Sequence, residues 1–249
     1  MGATEPVLLR VQGATKTFGS IQAVDMVDLE LRIGESVGLI GPNGAGKSTF
    51  LSLLSGDQQV SAGRVSFEGR DISRVPAHAR VVAGIARAAQ IPQTFGRLSL
   101  RENVLLPSLF GARLPQREAE DWCREVLAMV GLDARPDVPA GALGLLDRKR
   151  LELAKAVAAR PRLLLLDEIA AGLTEPEVET IMALVRRLQA GRAIVWVEHI
   201  PAALRGTCER LVVMDKGAKT HDGPFAEVWA DRSLQEIYMG VPDDDISAH

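Results

Sequence analysis

The sequence predicts an α/β fold, a mostly parallel sheet covered by helices with a helical subdomain set into it. Three observations carry that expectation. Short β-rich runs alternate with longer helical patterns along the 249 residues, as in strands linked by crossover helices. Two of the runs, LLLL at 163–166 and AIVWV at 193–197, are unbroken apolar stretches, as strands buried on both faces are. A third, VGLI at 37–40, leads straight into the glycine-rich loop GPNGAGKST.

In chain order, 7–11 and 29–33 read as strands, then 37–40, then a helix from about 47 to 55 and a further strand at 64–67. From about 96 to 140 helical periodicity prevails, clearest over 118–130, with several prolines and few strand signals. This is the helical subdomain, placed at about 96–160 inside a single domain of 5–240. Beyond 163–166, Thr174-Glu175-Pro176-Glu177 combines a capping box with a proline in the first turn. It opens an amphipathic helix to about 188. Residues 241–249 read as a short acidic tail containing Asp243–Asp245.

Apolar residues make up 47% and charged ones 24%, the balance of an ordinary soluble globular protein. Net charge is −3 with both signs interspersed, which argues against a nucleic-acid partner held by a basic field. Cys123 and Cys208 form no CxxC pair; they read as small core or surface residues in a reducing compartment. The start, MGATEPVLLR, lacks the apolar core of a secretory signal, and no apolar run reaches the length of a membrane span. A cytosolic protein is expected.

Gly41-Pro42-Asn43-Gly44-Ala45-Gly46-Lys47-Ser48-Thr49 matches GxxxxGK[ST] after a strand and before a helix. Glycines let backbone N–H groups close around a polyphosphate, and the helix N-terminus adds its positive end. Lys47 would reach the β- and γ-phosphates and the Ser48 hydroxyl would ligate Mg²⁺. Asp167 and Glu168 end the strand 163–166, where ligands sit in such sheets. Alone, such a pair is more often a strand-to-loop transition. After a phosphate loop, Asp167 is expected to hold Mg²⁺ and Glu168 to polarise an attacking water. His199 ends the next strand on the same sheet edge. A lone histidine is usually structural, but this position puts it near the γ-phosphate. His78, His221 and His249 have no such context.

Together these motifs resemble the ATP-binding subunit of an ABC transporter over nearly the whole chain. The resemblance implies a P-loop α/β core with an antiparallel β-subdomain and an α-helical subdomain, ATP and Mg²⁺ as cofactors, and ATPase activity coupled to transport. It gives two further residues meaning that alone would read as a core Phe and an exposed Gln. Phe18 falls where the family stacks a ring on adenine. Gln90 resembles the Q-loop glutamine, which contacts the Mg²⁺/water site and links it to the helical subdomain. GIARAAQIPQTFGRLSLRENV, LLLLDEIAAGL and EIYMG look like the ATPases of branched-chain amino-acid, urea and amide importers. Those work with permease chains, a second ATP-binding chain and a substrate-binding protein, at the cytoplasmic face of the cell membrane.

The family's LSGGQ signature is altered here to Leu143-Gly144-Leu145-Leu146-Asp147. In the family its serine and glycines contact the γ-phosphate held by the other subunit. Gly144 removes a hydroxyl, Leu146 puts a side chain where a glycine lets backbone approach, and Asp147 places a negative charge near phosphate. Each lost contact to a charged group is worth ~1.5–3 kcal/mol. Asp147 is also expected to cap a helix over 148–159. Ile169 replaces the usual proline, and Thr174 stands where many relatives carry the D-loop aspartate. The resemblance with this departure implies a heterodimer having one competent and one degenerate ATP site. A soluble ABC ATPase of an assembly complex, such as iron–sulfur cluster biogenesis, is the alternative. A pure nucleotide-binding regulator is less well supported because Glu168 and His199 are present. DNA-repair ATPases of this fold insert long coiled coils, for which the chain between Gln90 and the signature leaves no room.

Overall fold

The computed structural model describes residues 6–199, 201–231 and 234. The EIYMG segment, the acidic tail and His249 lie outside the described residues. An antiparallel hairpin comes first, β1 (Val7–Phe18) and β2 (Ile21–Arg32), followed by β3 (Ser36–Ile40) and α1 (Lys47–Ser55). Two short strands, β4 (Ala62–Phe67) and β5 (Arg70–Asp71), complete a four-stranded sheet in the order β2-β1-β4-β5. After α2 (Ala77–Ala83) and β6 (Ile85–Ala88), three helices pack on one another: α3 (Leu100–Phe110), α4 (Gln116–Met129) and α5 (Leu145–Ala158). The chain returns through β7 (Leu163–Asp167), α6 (Glu175–Leu188) and β8 (Ala193–Val197). It continues through α7 (Pro201–Leu204), β9 (Arg210–Asp215), β10 (Ala218–Pro224) and α8 (Phe225–Trp229).

The larger sheet runs β10-β9-β3-β8-β7-β6, parallel except for the β10 edge. Side chains alternate across a strand, so its central strands feed two cores at once. Leu163, Leu165, Val195 and Val197 join Phe50 and the hairpin's Leu9, Val11 and Leu31 on one face. Leu164, Leu166, Ile194 and Trp196 face α5 and α6 on the other. Both faces need apolar residues, which is why these runs do not alternate in the sequence.

The hairpin strands are longer than 7–11 and 29–33, because register shifts at several points let the pairing continue past positions that break the alternation. The strand expected at 64–67 begins at Ala62, and the helix expected over 118–130 spans Gln116–Met129. Thr174 caps α6 as expected: its N–H and hydroxyl both donate to the Glu177 carboxylate at 2.9 Å. A device the sequence did not reveal fixes the far end of α1. Fully buried Arg80 donates to Leu53 O at 2.6 Å, Leu54 O at 3.0 Å and Ile72 O at 2.5 Å. A cation thereby meets the last carbonyls of the phosphate-loop helix, where the helix dipole is negative.

Candidate functional site

The predicted site residues leave the sheet at its C-terminal edge, where strand order and chain order diverge and such sheets bind ligands. The glycine-rich loop follows β3, Gln90 follows β6, Asp167 ends β7 with Glu168 just beyond it, and Glu198 and His199 follow β8. A cavity of about 220 Å³ is lined by Asn43, Gly44, Ala45, Gly46, Lys47, Ser48 and Thr49, with Ala23, Glu168 and His199 opposite. Gly46 caps α1 at φ 95° and lies against β2, so that a Cβ there would stand 2.1 Å from Ala23 O. Lys47 is 5% exposed, and its ammonium donates to Gly41 O at 2.6 Å and Pro42 O at 3.0 Å. Burial lowers its pKa, while Glu168 and Asp167 pull in the opposite direction.

Two distant segments converge on Glu168. Gln90 Nε2 donates to its Oε2 at 2.5 Å, and His199 Nε2 stands 2.5 Å from its Oε1. Each carboxylate oxygen therefore has one side-chain partner, one from each neighbouring strand end. Glu168 itself takes a left-handed φ of 46°, a conformation that costs a non-glycine residue and is concentrated at functional sites. Gln90 is thus placed on Glu168, while Asp167 has a different partner.

That partner is Arg87, on β6, which sequence reasoning missed. Its guanidinium bonds Asp167 Oδ2 at 2.5 Å and Asp57 Oδ2 at 2.9 Å. Asp167 Oδ1 is buried and has no hydrogen-bond partner among the described residues. An orphaned carboxylate oxygen next to a phosphate loop fits a Mg²⁺ ion, which keeps several waters and takes few protein oxygens. No cluster of three His, Cys, Asp or Glu side chains suited to a metal occurs among the described residues. Asp167 and Ser48 are the groups that would hold the ion.

Glu198 was also missed. It is 1% exposed, and its Oε1 accepts from Ala170 N at 2.8 Å and Trp196 Nε1 at 3.0 Å. It so anchors the turn that follows Glu168. Burial pushes its carboxyl up to about 7, against the lowering effect of those hydrogen bonds, with the Glu168 charge adding to the rise and Lys149 opposing it. The folded state holds this proton more tightly than the unfolded chain, whose carboxyl titrates near 4.5. Stability is therefore lost as pH rises from about 4.5 to 7 and stays lost above. Glu198→Gln keeps an acceptor without the charge. It should leave the melting temperature unchanged near pH 4 and raise it at pH 8, with a ceiling of roughly 3 kcal/mol. A difference from wild type that does not vary between those pH values would refute the assignment.

Phe18 is not brought to the cavity wall. It ends β1 opposite Ile21, 46% exposed, with Lys16 Nζ 4.9 Å from its ring centre. The altered signature departs from expectation in two ways. Asp147 is not a cap, since α5 already begins at Leu145 with Gly144 as N-cap. Asp147 instead sits in the first turn, where a carboxylate suits the helix dipole, and pairs with Arg135 at 2.5 Å and Arg150 at 3.1 Å. Leu146 packs against the larger core, and Leu145, 45% exposed, is the residue left outside. At Gly144 a Cβ would meet nothing within 4 Å.

The chain is similar in sequence and fold to known proteins. A family model described as ABC transporter matches residues 24–171. The high-affinity branched-chain amino acid transport ATP-binding protein BraF of Pseudomonas aeruginosa is 31% identical, across 94% of this chain and 98% of that protein. An arabinose import ATP-binding protein of Burkholderia cenocepacia is 36% identical over 92% of the chain. The chain spans only 46% of that relative's length. Among solved structures, the ADP conformation of an ATP-binding cassette of an ABC transporter superposes with a TM-score of 0.84 at 27% identity, covering 95% of this chain and 100% of that one.

Proposed function

The chain belongs to the ABC transporter family, and on that premise we propose that it binds and hydrolyses ATP to energise a membrane importer. The observation that carries this reading is the convergence of Gln90 and His199 on Glu168, beside the phosphate loop. Lys47 is held by loop carbonyls at the floor of the cavity, ready to turn to the β- and γ-phosphates. The N-terminus of α1 and the loop N–H groups bind the remaining phosphate oxygens. Ser48 and the free Oδ1 of Asp167 would hold Mg²⁺, which neutralises charge on the transferring phosphoryl group. Glu168 orients a water toward the γ-phosphorus and takes its proton as the new P–O bond forms and the bond to the β-phosphate oxygen breaks. Gln90 and His199 fix the two carboxylate oxygens so that little reorganisation accompanies the step.

A groove of about 630 Å³ between the core and the three-helix region supports a membrane partner. Val81, Leu106 and Pro107 line it with Phe95 and Phe110, which are 53% and 72% exposed. A cytoplasmic helix of a permease fits this site as an amphipathic helix fits a groove. No helix among the described residues is long and apolar enough to cross a membrane. Docked on a permease in this way, the chain would sit peripherally on the cytoplasmic face. The motifs favour amino acids, urea or related amides as cargo. Relatives named for arabinose and ribose import widen the class to small polar solutes. Tagging the chain and solubilising its native membranes mildly tests the reading. Two permeases and a second ATPase should co-purify, whereas a complex without membrane proteins would favour the soluble assembly ATPase.

The second ATPase is proposed to carry an intact signature, giving a heterodimer with one degenerate site opposite Gly144–Asp147. Because a side chain at Gly144 meets nothing, Gly144→Ser with Asp147→Gln should fold normally. Losing the Asp147 pairs, partly exposed to solvent, costs at most about 1 kcal/mol. In the assembled complex this double variant should raise ATP turnover severalfold. An unchanged rate would mean that this face does not meet nucleotide.

A further inference from the structure

The helix α5 grips the segment after β6 with three side chains spaced i, i+3 along one side. Lys149 Nζ donates to Gln90 O at 2.5 Å, Glu152 Oε2 accepts from Gln93 N at 3.0 Å, and Lys155 donates to Gln93 O. Of the three, Lys149 also reaches the hydrolytic strand, standing 3.4 Å from Glu168 O. It is 2% exposed, so its ammonium has been withdrawn from water. A buried ammonium is tolerated only where fixed acceptors replace its hydration, and here those acceptors are main-chain carbonyls of the two segments that must be held together.

We propose that Lys149 is a positioning residue for hydrolysis: it sets the distance between Gln90 and Glu168 by tying the backbone of both to α5. The inference rests on the reading that Glu168 is the hydrolytic carboxylate. The geometry forms a closed circuit. Lys149 holds the Gln90 carbonyl, the Gln90 side chain holds Glu168 Oε2, and Lys149 holds the Glu168 carbonyl. The Glu168 carbonyl has a second donor, Ala171 N at 3.1 Å, so loss of Lys149 bears chiefly on Gln90. The contact also lies one helical turn from Leu145, the start of α5.

Lys149→Met removes the ammonium and keeps most of the volume. In the assembled ATPase it should lower kcat at least tenfold, with affinity for a fluorescent ATP analogue and KM within twofold of wild type. Lys149→Gln, which can donate to one carbonyl at a time, should lie between and serves as the test should the Met variant not fold. A role through Gln90 also demands non-additivity: Lys149→Met in a Gln90→Ala background should lower kcat less than twofold further. An unchanged kcat for Lys149→Met, or fully multiplicative effects of the two substitutions, overturns the proposal. Unchanged turnover in Glu168→Gln would instead remove the reading on which it rests, and the two failures are thereby separable.

Discussion

Glu168→Gln should lower ATP turnover of the assembled ATPase by a hundredfold or more while nucleotide affinity stays close to wild type. The substitution keeps the shape of the circuit. One oxygen remains to accept from Gln90 Nε2, and the new amide faces His199 Nε2, which can accept it in its neutral form. What disappears is the base. General-base catalysis contributes on the order of 10²–10⁴-fold, and a hundredfold loss corresponds to about 2.7 kcal/mol of barrier. Binding is carried by the phosphate loop, Lys47 and the α1 N-terminus, none of which changes. Phosphate release and analogue binding, measured side by side, decide the matter. Undiminished turnover would place the proton acceptor elsewhere, and a parallel loss of binding would mean that Glu168 supports the loop and not the chemistry.

Gly46→Ala should all but abolish nucleotide binding and destabilise the chain. Two penalties act together. The φ of 95° is outside the range an alanine adopts readily, and the added Cβ would stand 2.1 Å from Ala23 O, a main-chain atom that cannot swing aside. Either β2 or the phosphate loop must move. Left-handed strain alone is worth roughly 1–2 kcal/mol, and the overlap adds to it. Gly44→Ala is the internal control: its φ of 80° is equally strained, but a Cβ there meets nothing within 4 Å. Thermal unfolding and binding titrations should rank the variants wild type, then Gly44→Ala, then Gly46→Ala. Equal loss in both would assign the effect to backbone conformation and remove the close approach of the hairpin from the explanation.

Those two residues show what could be read locally. Gly46 belongs to a loop whose fixed glycines, lysine and serine serve phosphate binding, and Glu168 stands two places after four leucines that read as a buried strand. The same holds for the Thr174 cap, whose partner is three residues away. Such features depend on neighbours within one or two turns of chain, and the pattern of residue types determined them. The β1–β2 hairpin was less legible, because its bulges break the alternation on which strand recognition depends. The strand β6 was not legible at all, since IARA is short and carries an arginine that reads as surface.

Only the tertiary structure decided which groups meet at the site. The order β10-β9-β3-β8-β7-β6 sets β6 and β8 on either side of β7. That is why residues 90 and 199 reach the same carboxylate, and why Arg87 finds Asp167 across 80 positions of sequence. It also gave Asp147 an arginine partner in Arg135 instead of a cap, because Gly144 had already started the helix. Composition and spacing state which chemistry a chain carries. A charge buried against a distant backbone carbonyl, as in Lys149, is chosen by how the layers pack, and a single sequence holds no local record of that choice.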